Sequence, residues 1–220
     1  MTDVAAAGPL HPASSELLAR LATTDWIGDF YLAGSAALAL HLRHRPVRDL
    51  DFMALANRLA PQERRDLLTA LLELAPGIVV ETARDGYLHT RTAEGIALRF
   101  FYYPYPLVAP VDDSPVPVAA LVDLGLMKLG AVASRGSRRD FVDLHLLCRR
   151  VPLAELLACS GDKFGHVEDF PLQAMKGLAD TAAAQDEPMP ALAESLAWSE
   201  VEEWIDRELR AFGAPFLPAD

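Results

Sequence analysis

The stretch that decides the fold is residues 30–54, FYLAGSAALALHLRHRPVRDLDFMA. Its apolar start, Phe30 to Ala33, predicts a buried strand, and Gly34 predicts the turn that leaves this strand. Ser35 to Leu42 then predicts a helix. The first N–H groups of a helix have no partner within it, and together with the helix dipole they attract anions. The turn at Gly34 and Ser35 is therefore a candidate phosphate site.

Two carboxylates follow in the segment Asp49-Leu50-Asp51, the first of them fourteen residues after Ser35. The alternation of polar and apolar residues predicts a strand from Asp49 to Ala54, and side chains two apart on a strand share a face. Two carboxylates held close together need a cation, and Mg²⁺ typically binds one or two carboxylates plus substrate phosphates. This arrangement suits chemistry on a nucleoside triphosphate.

A second segment with polar residues in apolar surroundings begins about seventy residues later. Val118 to Ala133 predicts a long apolar helix in which Lys128 either snorkels at a surface or faces a polar cleft. In the next predicted helix, Asp140 and Asp143 are three residues apart and share one face. We expect these acids to meet a cationic partner or a metal ion.

These segments carry a family resemblance. Residues 31–45, YLAGSAALALHLRHR, followed by Asp49 to Phe52, resemble the glycine-serine turn and acid-x-acid strand of nucleotidyltransferases. Met127 to Ala131 and Arg138 to Leu144 resemble the lysine-bearing helix and the basic-Asp-x-x-Asp-Leu helix of the AbiEii/AbiGii toxin branch of the polymerase-beta-like superfamily. The resemblance spans roughly residues 30 to 150. It implies an α/β (α+β) fold, with a mixed sheet flanked by helices and then a helical C-terminal region.

The resemblance also implies a function and a set of site residues. Members of the branch transfer a nucleotide to RNA, such as the tRNA acceptor end, as toxins of type IV toxin-antitoxin or phage-defence systems with an antitoxin encoded nearby. The expected metal ligands for Mg²⁺ are Asp49 and Asp51. The residues expected to bind the nucleotide are Gly34, Ser35, Arg48 and Lys128. The residues expected to take part in catalysis are Asp49, Asp51, Lys128, Asp140 and Asp143.

One element of the superfamily pattern is missing. Members commonly carry a third carboxylate on a neighbouring strand, yet the candidate strand, Ile96 to Tyr103, contains no acid. Arg99 or an aromatic residue takes that position. Either Asp140 or Asp143 completes the site, or the protein works with two acids, or it is an inactive copy that only binds nucleotide or a partner.

Turn residues outline the rest of the chain. Arg84-Asp85-Gly86 and Ala93-Glu94-Gly95 predict hairpin turns between three strands, and the prolines from Pro104 to Pro117 predict a linker. We therefore predict a nucleotidyltransferase core over residues 1–115. A helical domain over residues 116–220 is expected to complete the active-site cleft.

Charge and composition bound the function classes. The net charge of −11 disfavours a nucleic acid partner, but basic residues cluster immediately before Asp49 and around Asp140, where local charge counts for more than the net value. The acidic balance also leaves open a small-molecule nucleotidyltransferase of the aminoglycoside-modifying kind. With two cysteines, no long apolar run and no signal-like start, the sequence predicts a cytoplasmic protein without a membrane partner.

Overall fold

The computed structural model of the chain describes residues 8–112 and 114–213. The chain folds into two compact units, with the division after Ala120. The first unit contains a five-stranded sheet, whereas residues 121–213 of the second form helices without a strand. The predicted fold class, a mixed sheet with flanking helices followed by a helical region, is confirmed.

The first unit alternates helices and strands. Its helices are α1 (Pro12–Leu21), a 3-10 helix (Asp25–Asp29), α2 (Gly34–Leu42) and α3 (Pro61–Leu74). Its strands are β1 (Tyr31–Ala33), β2 (Leu50–Ala54), β3 (Val79–Arg84), β4 (Tyr87–Arg91) and β5 (Ala97–Tyr102). The strand order is β1-β2-β5-β4-β3, with β2 and β5 parallel and the other neighbouring pairs antiparallel.

Both predicted hairpins are present in the sheet. Strands β3 and β4 pair from Arg84↔Tyr87 outward, and Gly86 adopts a φ of +69° in the turn that joins them. Strands β4 and β5 pair from Arg91↔Ala97 outward, with Gly95 in the turn at a φ of +81°. Glycine adopts such positive φ values without steric cost, which is why these positions indicated turns in the sequence.

Aromatic side chains form the centre of the first unit's core. The ring of Phe100 on β5 stacks on Phe52 of β2 at a centroid distance of 5.1 Å and meets Phe30 edge-on at 5.2 Å. All three rings are buried. This packing ties β2 to β5 and fixes the register in which their polar residues face one another.

The second unit is built from seven helices within its described residues: α4 (Leu121–Ser134), α5 (Arg138–Cys148), α6 (Leu153–Ala158), α7 (Ser160–Phe164), α8 (Phe170–Ala179), α9 (Ala182–Gln185) and α10 (Trp198–Gly213). Phe141, Leu144 and Leu147 form the apolar stripe of α5 and are fully buried. None of the helices in the described part of the chain has both the length and the apolar character needed to cross a bilayer.

One predicted helix start is wrong. Helix α4 begins at Leu121 rather than Val118, because Val118 forms a bridge with Leu32 of β1 and the flanking backbone groups bond Leu32 on both sides. Helix α1 begins at Pro12, where the ring of His11 accepts the N–H of Ala13 at 3.3 Å. Ser14 lies inside this helix and donates its hydroxyl to the carbonyl of Arg48 at 2.6 Å.

Candidate active site

The acid pair lies at the start of β2, between two neighbouring strands. Asp51 is opposite Ala33 of β1 on one side and opposite Arg99 of β5 on the other. Asp49 lies one residue before the strand and accepts the N–H of Ala97 at 3.2 Å. Because side chains two apart share a face, the two carboxylates converge as the sequence predicted.

Arg99 bridges the two carboxylates. Its Nη1 donates to Oδ1 of Asp51 at 2.6 Å and its Nη2 donates to Oδ2 of Asp49 at 2.7 Å. Burial on its own lowers the pKa of Arg99, but the charge and hydrogen bond of Asp51 and the charge of Asp49 raise that pKa above its ordinary value. The strand on which the superfamily pattern led us to look for a third acid therefore holds a permanent positive charge beside the acid pair.

The glycine turn lies against this acid pair. Gly34 has a φ of +60°, and a Cβ atom at this position would lie only 2.7 Å from Oδ2 of Asp51. Helix α2 starts here, and its N-cap residue, Ala33, provides no side chain to bond the first N–H groups. The structure therefore brings Gly34, Ser35 and the Asp51 carboxylate together at one end of α2.

The donor atoms of the acid pair are of the kind that fits a divalent cation. Carboxylate oxygens are hard donors of the kind that Mg²⁺ prefers, and Arg99 engages one oxygen of each acid. The side chains of Asp49 and Asp51 are 39% and 20% exposed. Across residues 8–112 and 114–213, no group of three or more His, Cys, Asp or Glu side chains is placed to hold a metal ion. A metal ion at this pair would need further ligands from its substrate.

Arg48 precedes the acid pair but its side chain is engaged elsewhere. Its guanidinium group donates to the carbonyl of Glu94 and lies 3.3 Å from Nε2 of His11. The basic residues just before it differ in exposure, since His44 and Arg45 are buried while Arg43 is exposed. The nucleotide-binding role of Arg48 stays a prediction.

Within the second unit, Lys128 meets both acids of the later segment. Its Nζ lies 3.0 Å from Oδ1 of Asp140 and 2.8 Å from Oδ2 of Asp143. The three side chains are at most 8% exposed. A buried ammonium group held by two carboxylates is a fixed charge rather than a snorkelling surface lysine.

Asp140 has further partners that were not apparent from the sequence. Arg135 donates to it through Nε at 2.6 Å and Nη2 at 2.8 Å, and the hydroxyl of Ser137 donates at 2.6 Å. Burial alone would raise the pKa of Asp140, but the bonds from Arg135 and Ser137 and the charge of Lys128 lower that pKa well below its usual range. Asp140 therefore remains ionised throughout the ordinary pH range.

A helix cap helps to position this cluster. Ser137 is the N-cap of α5, and its Oγ accepts the N–H of Asp140. A serine at this place is a signal by which the sequence could have indicated the helix start. The buried pair between Lys163 and Asp123, at 2.8 Å, had no such local signal because forty residues separate the two.

Two comparisons with known protein sequences identify relatives of this chain. Residues 16–203 match the model of the family described as "Nucleotidyl transferase AbiEii toxin, Type IV TA system". An uncharacterized protein of Aquifex aeolicus (strain VF5) is 29% identical over 202 residues, which cover 90% of this chain and 94% of that protein.

Two solved structures resemble the chain, and the first of them supports the fold class. The antibiotic-resistance factor ANT(2'')-Ia aligns with a TM-score of 0.52 at 13% identity, over 68% of this chain and 90% of that chain. JHP933 from Helicobacter pylori aligns over 93% of this chain and 97% of that chain, with a TM-score of 0.45 and 16% identity.

The family match over residues 16–203 places the protein in the nucleotidyltransferase class. The match over most of its length shows that the chain belongs to the AbiEii family of nucleotidyltransferase toxins of type IV toxin-antitoxin systems. The predicted family is confirmed. The match also extends well beyond the predicted span of residues 30 to 150, so most of the helical second unit belongs to the family pattern.

Proposed function

We propose that this protein is a metal-dependent nucleotidyltransferase that moves a nucleoside monophosphate from a triphosphate to an RNA hydroxyl, such as the tRNA acceptor end. The observation that carries the proposal is the convergence of Asp49, Asp51 and the Gly34 turn in a chain of this family. Its role in the cell would be that of a cytoplasmic toxin, restrained by a separately encoded antitoxin and active in phage defence.

The residues of the first unit have distinct proposed tasks. Asp49 and Asp51 would hold Mg²⁺, which when bound would neutralise phosphate charge. The N–H groups of Gly34 and Ser35 bind the terminal phosphates at the start of α2. Arg48 remains a proposed nucleotide contact. Together these groups orient the triphosphate for attack.

The transfer itself exchanges one bond to phosphorus for another. The acceptor hydroxyl oxygen bonds to the α-phosphorus while the bond to the bridging oxygen breaks, so pyrophosphate leaves with the electron pair and the hydroxyl proton is released. Catalysis of this kind rests mostly on positioning and electrostatic stabilisation.

The proposed task of Lys128 is to neutralise charge on the phosphates. Asp140 and Asp143 would position its ammonium group, which is supported by the distances of 3.0 and 2.8 Å from Nζ to their carboxylates. Since both acids are buried, removal of Lys128 also leaves them without this partner. Its variants are informative only when their melting temperature is measured beside their activity.

The test is transfer of label to RNA. Purified protein is incubated with total tRNA, Mg²⁺ and each α-labelled nucleoside triphosphate in turn, beside the variants Asp49→Asn and Asp51→Asn. Asp29→Asn is the matched control, because Asp29 pairs with a single arginine at an exposed site. We expect label on RNA with the wild type and the control and at least a hundredfold less with the two site variants. Label on an added aminoglycoside instead of RNA, or no labelled product at all, would contradict the proposal.

A further inference from the structure

The sheet of the first unit has one buried face and one partly open face. In β2, in β4 and over residues 98–101 of β5, the side chains alternate between buried and partly exposed. Asp51 belongs to the partly exposed set, so the acid pair lies on the open face. The strand register arranges the side chains of this face in two neighbouring rows: Asp51, Arg99 and His89 in the first, and Met53, Phe101, Tyr87 and Arg84 in the second. We call the second row the aromatic row.

The geometry of the proposed transfer determines on which side of the acid pair the acceptor arrives. The attacking and leaving oxygens lie roughly in line across the α-phosphorus, so the acceptor approaches from the side opposite the terminal phosphates. The turn at Gly34 follows β1, which flanks β2 on one side, whereas β5 and β4 flank it on the other. With the terminal phosphates at this turn, as the proposed function has them, the acceptor lies over β5 and β4.

Aromatic rings and a guanidinium group line the open face of these strands. The rings of Tyr87 and Phe101 lie 5.0 Å apart between centroids, and the guanidinium carbon of Arg84 lies 5.0 Å from the centroid of the Tyr87 ring. Both aromatic side chains are partly exposed, and Arg84 is exposed. Aromatic rings on a sheet, with arginine planes beside them, are surfaces on which unpaired RNA bases stack.

The charge of this face favours RNA over a cationic acceptor. Strands β4, YLHTR, and β5, ALRFFY, carry two arginines and no acid. Glu81 on β3 is paired with Arg91 and lies 3.0 Å from Nε2 of His89, so its charge is already compensated. Such a surface attracts a phosphate backbone and repels a cationic aminoglycoside.

We propose that the aromatic row binds the unpaired 3′-terminal nucleotides of the RNA acceptor. Their bases stack on Phe101 and Tyr87, and Arg84 contacts the RNA backbone at the far end of the row. Strand spacing and rise place the Cα of Phe101 about 8 Å from that of Asp51, so a terminal base on this ring leaves its hydroxyl near the acid pair. The inference rests on the proposed function and names the acceptor subsite. Purely structural rings would instead stabilise the pairing of β4 with β5 and leave RNA affinity unchanged.

The experiment measures the affinity of the full-length protein for a short single-stranded RNA, labelled with fluorescein at its 5′ end, by fluorescence anisotropy. It is run in buffer alone and again with Mg²⁺ and a nucleoside triphosphate whose α–β bridge is a methylene group, which blocks transfer but fills the nucleotide site. The variants Tyr87→Leu and Phe101→Leu keep an apolar side chain but remove a ring. The matched control is Tyr102→Leu, because Tyr102 is an exposed aromatic residue next to Phe101 on the opposite face of the strand.

We expect each ring variant to bind the RNA about tenfold more weakly than the wild type, because a stacked base contributes on this scale. Tyr87→Phe keeps the ring and should bind as the wild type does, as should the control. An RNA whose last two nucleotides lack bases should bind equally to the wild type and to the ring variants, since it offers nothing to stack. In transfer assays, the KM for tRNA should rise in the ring variants while the KM for the nucleoside triphosphate stays unchanged.

A variant at an exposed position keeps the test decisive if a ring variant does not fold. Arg84→Gln removes a charge at the end of the aromatic row. Its RNA affinity should fall, and the slope of log affinity against log salt concentration should decrease by about one. Wild-type affinity with an unchanged salt slope would overturn the inference.

The remaining outcomes separate this inference from the proposed function. Wild-type RNA affinity in folded ring variants, an equal loss in Tyr102→Leu, or an equal loss with the RNA that lacks terminal bases would overturn the role of the aromatic row. The nucleotidyltransferase proposal would then still stand. Loss of a protein partner from ring variants that keep wild-type RNA affinity would make this face a protein interface and also overturn the inference. Failure of the wild type both to bind RNA and to label it would overturn the proposed acceptor and, with it, the subsite.

Discussion

The substitution Gly34→Ala tests whether the glycine turn and the acid pair act as one site. The added Cβ would lie 2.7 Å from Oδ2 of Asp51, whereas ordinary contact begins at 3.4 Å, so the carboxylate must retreat by about 0.7 Å. Asp51 is also held by Arg99 at 2.6 Å. The retreat therefore distorts the contact that fixes the acid.

Two costs of this substitution have different magnitudes and different readouts. The φ of +60° at Gly34 is unfavourable for alanine by about 1–2 kcal/mol, which for a chain of this size lowers the melting temperature by about 2–8 °C. Displacement of a reacting group by about 1 Å can lower the rate about a hundredfold. We therefore expect a modest loss of stability and a large loss of nucleotide transfer.

Gly77→Ala separates the two costs. Gly77 also has a positive φ, +88°, but its added Cβ would meet only a methyl group at 3.7 Å. Both variants should show a similar fall in melting temperature by differential scanning fluorimetry. Only Gly34→Ala should lose label transfer from α-labelled nucleotide, and transfer at the wild-type rate in Gly34→Ala would refute the coupling of the turn to Asp51.

Three further predictions concern the second unit. Burial lowers the pKa of His145 to about 4, below its unfolded value of about 6.5. The contribution of this group to the free energy of unfolding is therefore fully present above about pH 6.5, and up to about 3 kcal/mol of it is lost as the pH falls toward 4. Urea titrations should show this loss in the wild type and its absence in His145→Leu. Burial raises the pKa of Cys148 to about 12. Its alkylation by iodoacetamide at pH 8 should therefore be about a hundredfold slower than that of a free thiol. Rapid modification of the folded protein, measured by mass spectrometry, would contradict this prediction. Gly177→Ala should destabilise the fold by about 1–3 kcal/mol, because its Cβ would lie 2.3 Å from a Cα of helix α4. Gly130→Ala is the matched control, since its added Cβ would meet no atom within 4 Å. In thermal melts this control should be neutral or stabilising.

Local sequence signals predicted much of the first unit's fold. Gly86 and Gly95 indicated turns, because glycine adopts positive φ values without steric cost. The alternation of polar and apolar residues around Asp51 predicted a strand, which the structure contains as β2. The helix was predicted to start too early, at Val118, because of a tertiary contact. No local feature of an apolar residue next to a helix indicates a bridge to a distant residue such as Leu32. Helix propensity there is overridden by pairing with β1.

The role of Arg99 illustrates what a single sequence withholds. The strand Ala97–Tyr102 was recognised, and Arg99 was identified as one of the residues that occupy the place of a third acid. Its bridge to both carboxylates depends on the register of β2 against β5, which a shift of one residue would abolish. That register is set by the stacking of Phe52 on Phe100, a contact between segments nearly fifty residues apart.

Lys128 shows that recognition of a site residue does not reveal its electrostatic state. The sequence placed Asp140 and Asp143 on one helix face and left Lys128 at a surface or a polar cleft, because the packing of α4 on α5 has no local signature. The structure joins the three at 3.0 Å or less with almost no exposure, and Asp140 also accepts the hydroxyl of the N-cap residue Ser137. An activity loss in Lys128→Ala therefore combines a lost charge with two buried carboxylates that lose a partner.

A phosphate-binding role of Lys128 requires that Lys128→Arg, which keeps the charge, retains more nucleotide transfer than Lys128→Met at equal melting temperature. An equal loss of transfer in both variants would assign Lys128 to the fold of the second unit.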